Sequence, residues 1–320
     1  MGYGLTGHVG ISFQTSMGTV NASSYHWIPV INESITLSKN PIVSEGMRGR
    51  FESGDSWEGV NAVAGDIVTE VHPILVGKFL KAWFGQSSGA LATSHYDHTF
   101  NPRQVDWDTL CAVPPFTLEK YLAVGSAHQY RDCVVDQLSF EIAQGALIKM
   151  TASIIGGGYM TTVVKSTPTY LTGSEFTWDQ CSLSIAGAGV DEIRDLTITF
   201  ANNLEAYGTL NNTKYANRIK RGGFRTVEIG GTIFHEDDTH FNNFRNQTAQ
   251  AMVLTIRGGE CGSGFYNTIK FDFPRVKFRE YPAALSGPTE LEVGFTGDAY
   301  YHADSATMVT VTLTNTHTAY

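Results

Sequence analysis

A histidine followed by a glutamate is the pairing in this sequence that most invites a chemical reading. His235-Glu236 resembles the start of a zinc-protease helix, in which a second histidine one turn on completes the metal-facing side. Here the next histidine is His240, which would lie ~140° round a helix from His235, so the two cannot share one metal. His95 and His98 are spaced to chelate from one turn, but Asp97 is the only third ligand nearby, and a polar loop accounts for all three. Gly156-Gly157-Gly158 follows an apolar run yet lacks the spacing of a dinucleotide loop and opens no helix. Ser263 lies in Cys-Gly-Ser-Gly, one residue short of a nucleophile elbow. Met1-Gly2 with Thr6 meets the bare myristoylation pattern, although two glycines in an N-terminal arm explain it as well. Arg48-Gly49-Arg50 and Lys220-Arg221 are short basic spots, expected to pair with carboxylates of a neighbouring subunit. No catalytic, metal or cofactor site is expected from these residues.

Composition narrows the class further. The chain has 320 residues, 33 of them glycine, and only 17% are charged. With abundant Thr and aromatics, that favours strands and turns over long surface helices. The length suffices for two ordinary domains, each with its own core. A net charge of −9 argues against tight nucleic-acid binding, which needs clustered Lys and Arg. No apolar run approaches the ~18 residues of a membrane span, and no signal-peptide core opens the sequence. Cys111, Cys133, Cys181 and Cys261 stand far apart, as expected of reduced thiols buried in strands of a cytoplasmically made protein.

The elements that would carry these residues come in two similar sets. Gly65-Asp66-Ile67-Val68-Thr69-Glu70 recurs as Gly231-Thr232-Ile233-Phe234-His235-Glu236, with Gly, Ile and Glu all repeating at one offset, 231 − 65 = 166. Ahead of each block lies a run alternating apolar and hydroxyl residues, Ile35 to Ser38 and Leu196 to Thr199, the period of a half-buried strand. Behind the first, Leu75, Phe79, Leu80 and Trp83 make one apolar helical stripe, with Pro73 at its start and Gly85 as its stop. Behind the second, Asp237 and Asp238 can cap a shorter helix bearing Phe241 and Phe244. Strands then return at Phe116 to Val124 and Gln137 to Ile155, and at Ala251 to Arg257, Tyr266 to Phe278 and Glu290 to Phe295. The spacing predicts a duplicated, mainly β chain.

The parts that break the repeat also carry information. Residues 1–30 read as an extended arm, 31–164 as a first domain, 165–175 as a linker with Pro168 and Gly173, and 176–320 as a second domain ending in a strand over Met308 to Thr314. Only Gln247 to Gln250 separates helix from strand in the second set, whereas the first has a long loop, residues 86–109. Long loops in compact domains commonly contact a partner. Tyr96, Phe100 and Trp107 are poor choices for a loop left in water, so this loop is expected to carry an interface, and deleting residues 88–105 is expected to leave a soluble, folded subunit that no longer polymerises.

Several short segments resemble those of tail tube proteins of long-tailed bacteriophages: Gly10-x-Ser-Phe13 with Met17-Gly18-Thr19, Glu33-Ser34-Ile35, Gly65-Asp66-Ile67, His98 to Phe100, Phe176-Thr177-Trp178 and Asn202-Asn203-Leu204. The likeness runs over nearly the whole chain. It implies two tandem tail-tube-type β-sandwich or barrel domains, each with one flanking α-helix, in trimeric rings of pseudo-sixfold symmetry that stack into a tube. It also implies that a long loop reaches the adjacent ring, here with Tyr96, Phe100 and Trp107 as inter-ring contacts. The implied partners are further copies of the chain, a tape measure protein and the tail terminator and distal tail proteins, in a virion assembled in the host cytoplasm. Duplex DNA would pass without specific binding along a lumen lined by carboxylates, with Asp66, Glu141, Glu290 and Glu292 as candidates. The competing classes are a β-sandwich carbohydrate-binding or virion decoration protein, and a glycosidase whose two carboxylates meet only in the fold.

Overall fold

A computed structural model of the chain describes residues 3–92, 94–262, 264–285, 287 and 290–320. Met1 and Gly2 of the myristoylation pattern, and Ser263, lie outside the described residues. In chain order the first half gives β1 (His8–Phe13), β2 (His26–Ile28), β3 (Val30–Glu33), β4 (Thr36–Lys39), β5 (Ile42–Val43), β6 (Ser56–Trp57), β7 (Asn61–Glu70) and helix α1 (Leu75–Phe84). It continues with β8 (Ser88–Ala92), β9 (His95–Phe100), β10 (Phe116–Tyr121), β11 (Ala127–Ile142) and β12 (Lys149–Val163). The second half gives β13 (Cys181–Ile185), β14 (Ala188–Val190), β15 (Ile193–Ala201), β16 (Leu204–Tyr207), β17 (Arg218–Arg221), β18 (Thr226–Phe234) and α2 (Thr239–Arg245). It ends with β19 (Gln250–Gly262), β20 (Phe265–Glu280), β21 (Glu292–Ala299) and β22 (Thr310–Asn315). The protein is mainly β.

All the ladders between named strands are antiparallel, and they run in one order in each half. In the first, β2 pairs with β1, β1 with β10, β10 with β11, β11 with β12 and β12 with β7, while β3 and β4 lie end to end along the other edge of β7. In the second, the order is β14, β13, β19, β20, β21, β18, β15. The two sets are bonded to each other. Gln137–Ile142 of β11 pairs with Leu196–Ala201 of β15, and β22 lies between β20 and β9.

The stretch expected as an N-terminal arm therefore holds two sheet strands. Val9 and Ile11 of β1 are buried, which removes them from water and fixes the segment as core. The single strand expected over Gln137 to Ile155 is the C-terminal part of β11, a tight turn and the start of β12. Gly145 at φ 76° makes the reversal that an extended reading of this run overlooks.

Helix α1 forms as its stripe predicts. Gly85 closes it in the left-handed conformation at φ 79°, donating its N–H to the Lys81 carbonyl at 2.9 Å. Leu75, Phe79, Leu80 and Trp83 are all buried. The shorter α2 is held by Asp237, whose carboxylate accepts the Thr239 N–H at 2.7 Å, and it buries His240 against Phe278. Its Phe241 and Phe244 pack on the core, Asn242 and Asn243 are half-buried and Asn246 is exposed, so a polar helix still finds its seat.

One apolar core runs through both halves, rather than one per half. Phe140 of β11 lies 6.0 Å from Phe200 of β15 and 5.2 Å from Phe271 of β20, ring centre to ring centre, and Trp83 and Phe84 of α1 also touch Phe200. Asn202, fully buried, donates its amide to the Trp83 carbonyl and its backbone N–H to the Asp136 carbonyl, tying α1, β11 and the end of β15 together.

Candidate assembly interface

The side chains on the two faces of the central sheet are sorted by register. Ile67 stands opposite Ala152, Ala152 opposite Leu138, Leu138 opposite Phe200 and Phe200 opposite Val227, all buried. One residue along, Asp66 stands opposite Ser153, Ser153 opposite Gln137, Gln137 opposite Ala201 and Ala201 opposite Thr226. Because successive residues alternate sides, this second row faces away from the core. The outer face thus runs unbroken from β7 through β12, β11, β15 and β18 to β21, and it is made mostly of Ser, Thr, Ala and Gly.

Three of the four carboxylates expected along a channel share that face. Asp66, Glu141 and Glu292 are exposed on β7, β11 and β21, and Glu290 is exposed just before β21. Glu141 stands opposite Lys149, which in turn stands opposite Glu70. Arg194 Nη1 binds Glu292 at 2.6 Å, and Arg279 bridges Glu228 at 2.6 Å and Asp298 at 2.9 Å. Each of these two arginines meets two carboxylates, so the acidic groups outnumber the cations that bind them.

The long loop differs from its expected form. Much of residues 86–109 is the β8–β9 hairpin, and β9 is bonded along its other edge to β22 of the same chain. Phe100 is 0% exposed, packed between Phe84 and Tyr320, so it cannot serve as an inter-ring contact. The period-two run Tyr96, His98, Phe100 is what turns that side chain inward. Tyr96 and Trp107 are half-buried, the latter beneath the Arg103 guanidinium. Removing residues 88–105 would strip β22 of a partner and Phe100 from the core, so such a variant is now expected to lose stability rather than stay a folded subunit.

The other candidates resolve within the chain. Lys220 and Arg221 both bind Asp106 at 2.9 Å, so their carboxylate belongs to their own chain rather than to a neighbour. Arg48 and Arg50 have no carboxylate partner among the described residues. His240 donates to Glu192 at 3.0 Å and His235 meets the Tyr281 hydroxyl at 3.0 Å, so each ring is used by the fold. His98 Nε2 donates to the His317 carbonyl at 2.7 Å, while His95 stacks on Phe265. Among the described residues no group of three His, Cys, Asp or Glu side chains is arranged to hold a metal ion. The cysteines are free thiols, and burial pushes Cys111 and Cys181 up to about 12.

The triple glycine is an approach site. Gly158 has φ 86°, and a β-carbon there would collide with the Asn61 carbonyl, while one on Gly157 would crowd the Ala216 carbonyl at 2.8 Å. These glycines let β7 and the loop between β16 and β17 lie directly on the backbone of β12. The residues sequence reasoning passed over are in the loop from β4 to β7. Its tip carries Met47 at 102% and Phe51 at 108% relative exposure, with Ile42, Val43 and Trp57 also exposed. The adjacent arginines draw the eye there, whereas the apolar residues, scattered among Gly and Ser, show no period.

A mainly β body with a continuous polar sheet face and bare apolar loop tips is suited to packing against further protein surfaces. A family model described as phage tail tube protein matches residues 4–314, and the chain belongs to that family. It is accordingly a structural, non-enzymatic component of the phage tail, of a family whose members self-assemble into a tube. No curated protein matches the sequence.

Proposed function

We propose that the chain builds its tube as stacked rings of three copies, each copy supplying two tube-type units joined by the 165–175 linker. The observation that carries this reading is the common strand order of the two halves together with the ladder between β11 and β15. That ladder continues the sheet of one unit into the next. In the first unit the matching strands, β3 and β4, pair only with β7 among the described residues, so their outer edge is open. An open edge invites pairing, and closing a ring uses it up. Fusing two units makes every second junction intramolecular, which raises its effective concentration.

On this reading the first unit begins at β1, and the hydroxyl-rich outer face lines the bore. Asp66, Glu141 and Glu292 then present like charge to a passing duplex, which keeps DNA from anchoring by counterion release. The tape measure protein would fill the bore during assembly, with terminator and distal tail proteins at the two ends. The mass of an isolated ring tests the proposal. Three chains are expected; six chains per ring, or an open filament with no closed ring, overturns it.

A further inference from the structure

Both halves carry a hairpin loop at one place in the shared order, residues 40–60 between β4 and β7 and residues 202–225 between β15 and β18. The second is docked on the first half of its own chain. The Ala216 N–H donates to the Gly157 carbonyl at 2.8 Å, and the Ala112 N–H donates to the Ile219 carbonyl at 2.9 Å. Ile219 is 0% exposed, and Tyr215 meets Tyr159 edge-on with ring centres 5.3 Å apart. The first loop has no such cover, and its apolar tip stands in solvent. A cluster of large apolar side chains held fully exposed marks an interaction site.

The register identifies the matching seat. Gly156 stands opposite Val63 and Gly297 opposite Ile229, and 229 − 63 = 166 is the offset of the repeated block. Three residues past each glycine come Tyr159 and Tyr300, so these two tyrosines are counterparts. Tyr159 is covered by Tyr215, whereas Tyr300 is 45% exposed. Its neighbour Tyr301 shares a shallow groove with the exposed Phe224.

We propose that the 40–60 loop of one copy seats on the second half of a second copy, with Phe51 against Tyr300 as Tyr215 stands against Tyr159. The occupant is another copy of this chain because the seat on the first half is already filled by the chain's own second loop. The base of its own first loop is also held at that filled seat, where Lys214 binds Glu58 at 2.5 Å. The proposal rests on the ring reading and names the side chains of the junction between chains.

Cross-linking between copies tests it. Full-length Phe51→Cys and Tyr300→Cys proteins are mixed, assembled and treated with a short bis-maleimide, with the unsubstituted protein as control for its own thiols. The mixture is expected to give a covalent dimer absent from either protein alone, and the doubly substituted chain a ladder ending at three. Met47→Ser with Phe51→Ser should raise the concentration needed for assembly by about tenfold or more, as expected for the loss of central apolar anchors. Rings that form without that cross-link, and that the serine variant builds as readily, overturn the docking and leave the ring reading standing. A chain that forms no closed ring at any concentration overturns both.

Discussion

Phe100, on β9 with its ring between Phe84 and Tyr320, carries packing energy inside the subunit rather than between subunits. Phe100→Ala should destabilise the isolated protein by ~3–5 kcal/mol in chemical denaturation, the range for emptying a buried aromatic site. Phe51→Ala, by contrast, should leave the denaturation midpoint of the subunit unchanged. A second residue-level expectation concerns the bases gathered at α1. Burial, aided by the Lys78 charge, pushes His26 down to about 4, and burial likewise lowers His98 and His317, with Asp97 opposing at His98. Burial also brings Lys78 down to about 8. A histidine whose folded value lies below its unfolded one adds stability that is full above the unfolded value, and that stability is lost as pH falls toward the folded one. The melting temperature of the subunit should therefore drop as pH is lowered from 6.5 to about 4, and His26→Gln should flatten that drop. An unchanged slope in the variant would assign the acid sensitivity to other groups.

At the scale of elements, what could be read in advance was what local pattern determines. The stripe Leu75, Phe79, Leu80, Trp83 with Gly85 behind it specifies α1 because a helix's buried face and its stop are both local. The repeated Gly-x-Ile-x-x-Glu block and the alternation at Met308 to Thr314 locate β7, β18 and β22 for the same reason. The β8–β9 hairpin was illegible as a sheet element because its stability comes from β22, more than two hundred residues away. Its polar outer residues, Asp97 and Thr99, resemble a loop until that partner is in place. The 40–60 loop was missed for a related reason, since the surface that would cover it is absent from a single chain. If β22 is what holds β9 to β20, truncation after Val309 should expose the core. Rapid proteolysis of the 86–109 region and loss of cooperative unfolding are the expected readouts, and a variant with full protection there would show that β22 is dispensable.

For the whole molecule, the proposed bore makes a prediction about charge. Tubes of the unsubstituted protein should show no measurable binding of duplex DNA at physiological salt. Asp66→Lys with Glu141→Lys should create binding that weakens steeply as salt rises, since each added phosphate contact releases a counterion. Duplex that passes over both assemblies alike would place these carboxylates outside the bore. The shared aromatic core has a mechanical consequence as well. Phe140, Phe200 and Phe271 interlock across the middle of the chain, and packed interiors are stiff and resist shear. That interlock opposes any swivelling of one half on the other. In a tail built from such pieces, flexing is expected at the seams where separate chains meet. Curvature in a bent tail should accordingly be concentrated at those seams, and under load the tail should break there while each pair of covalently joined halves survives intact.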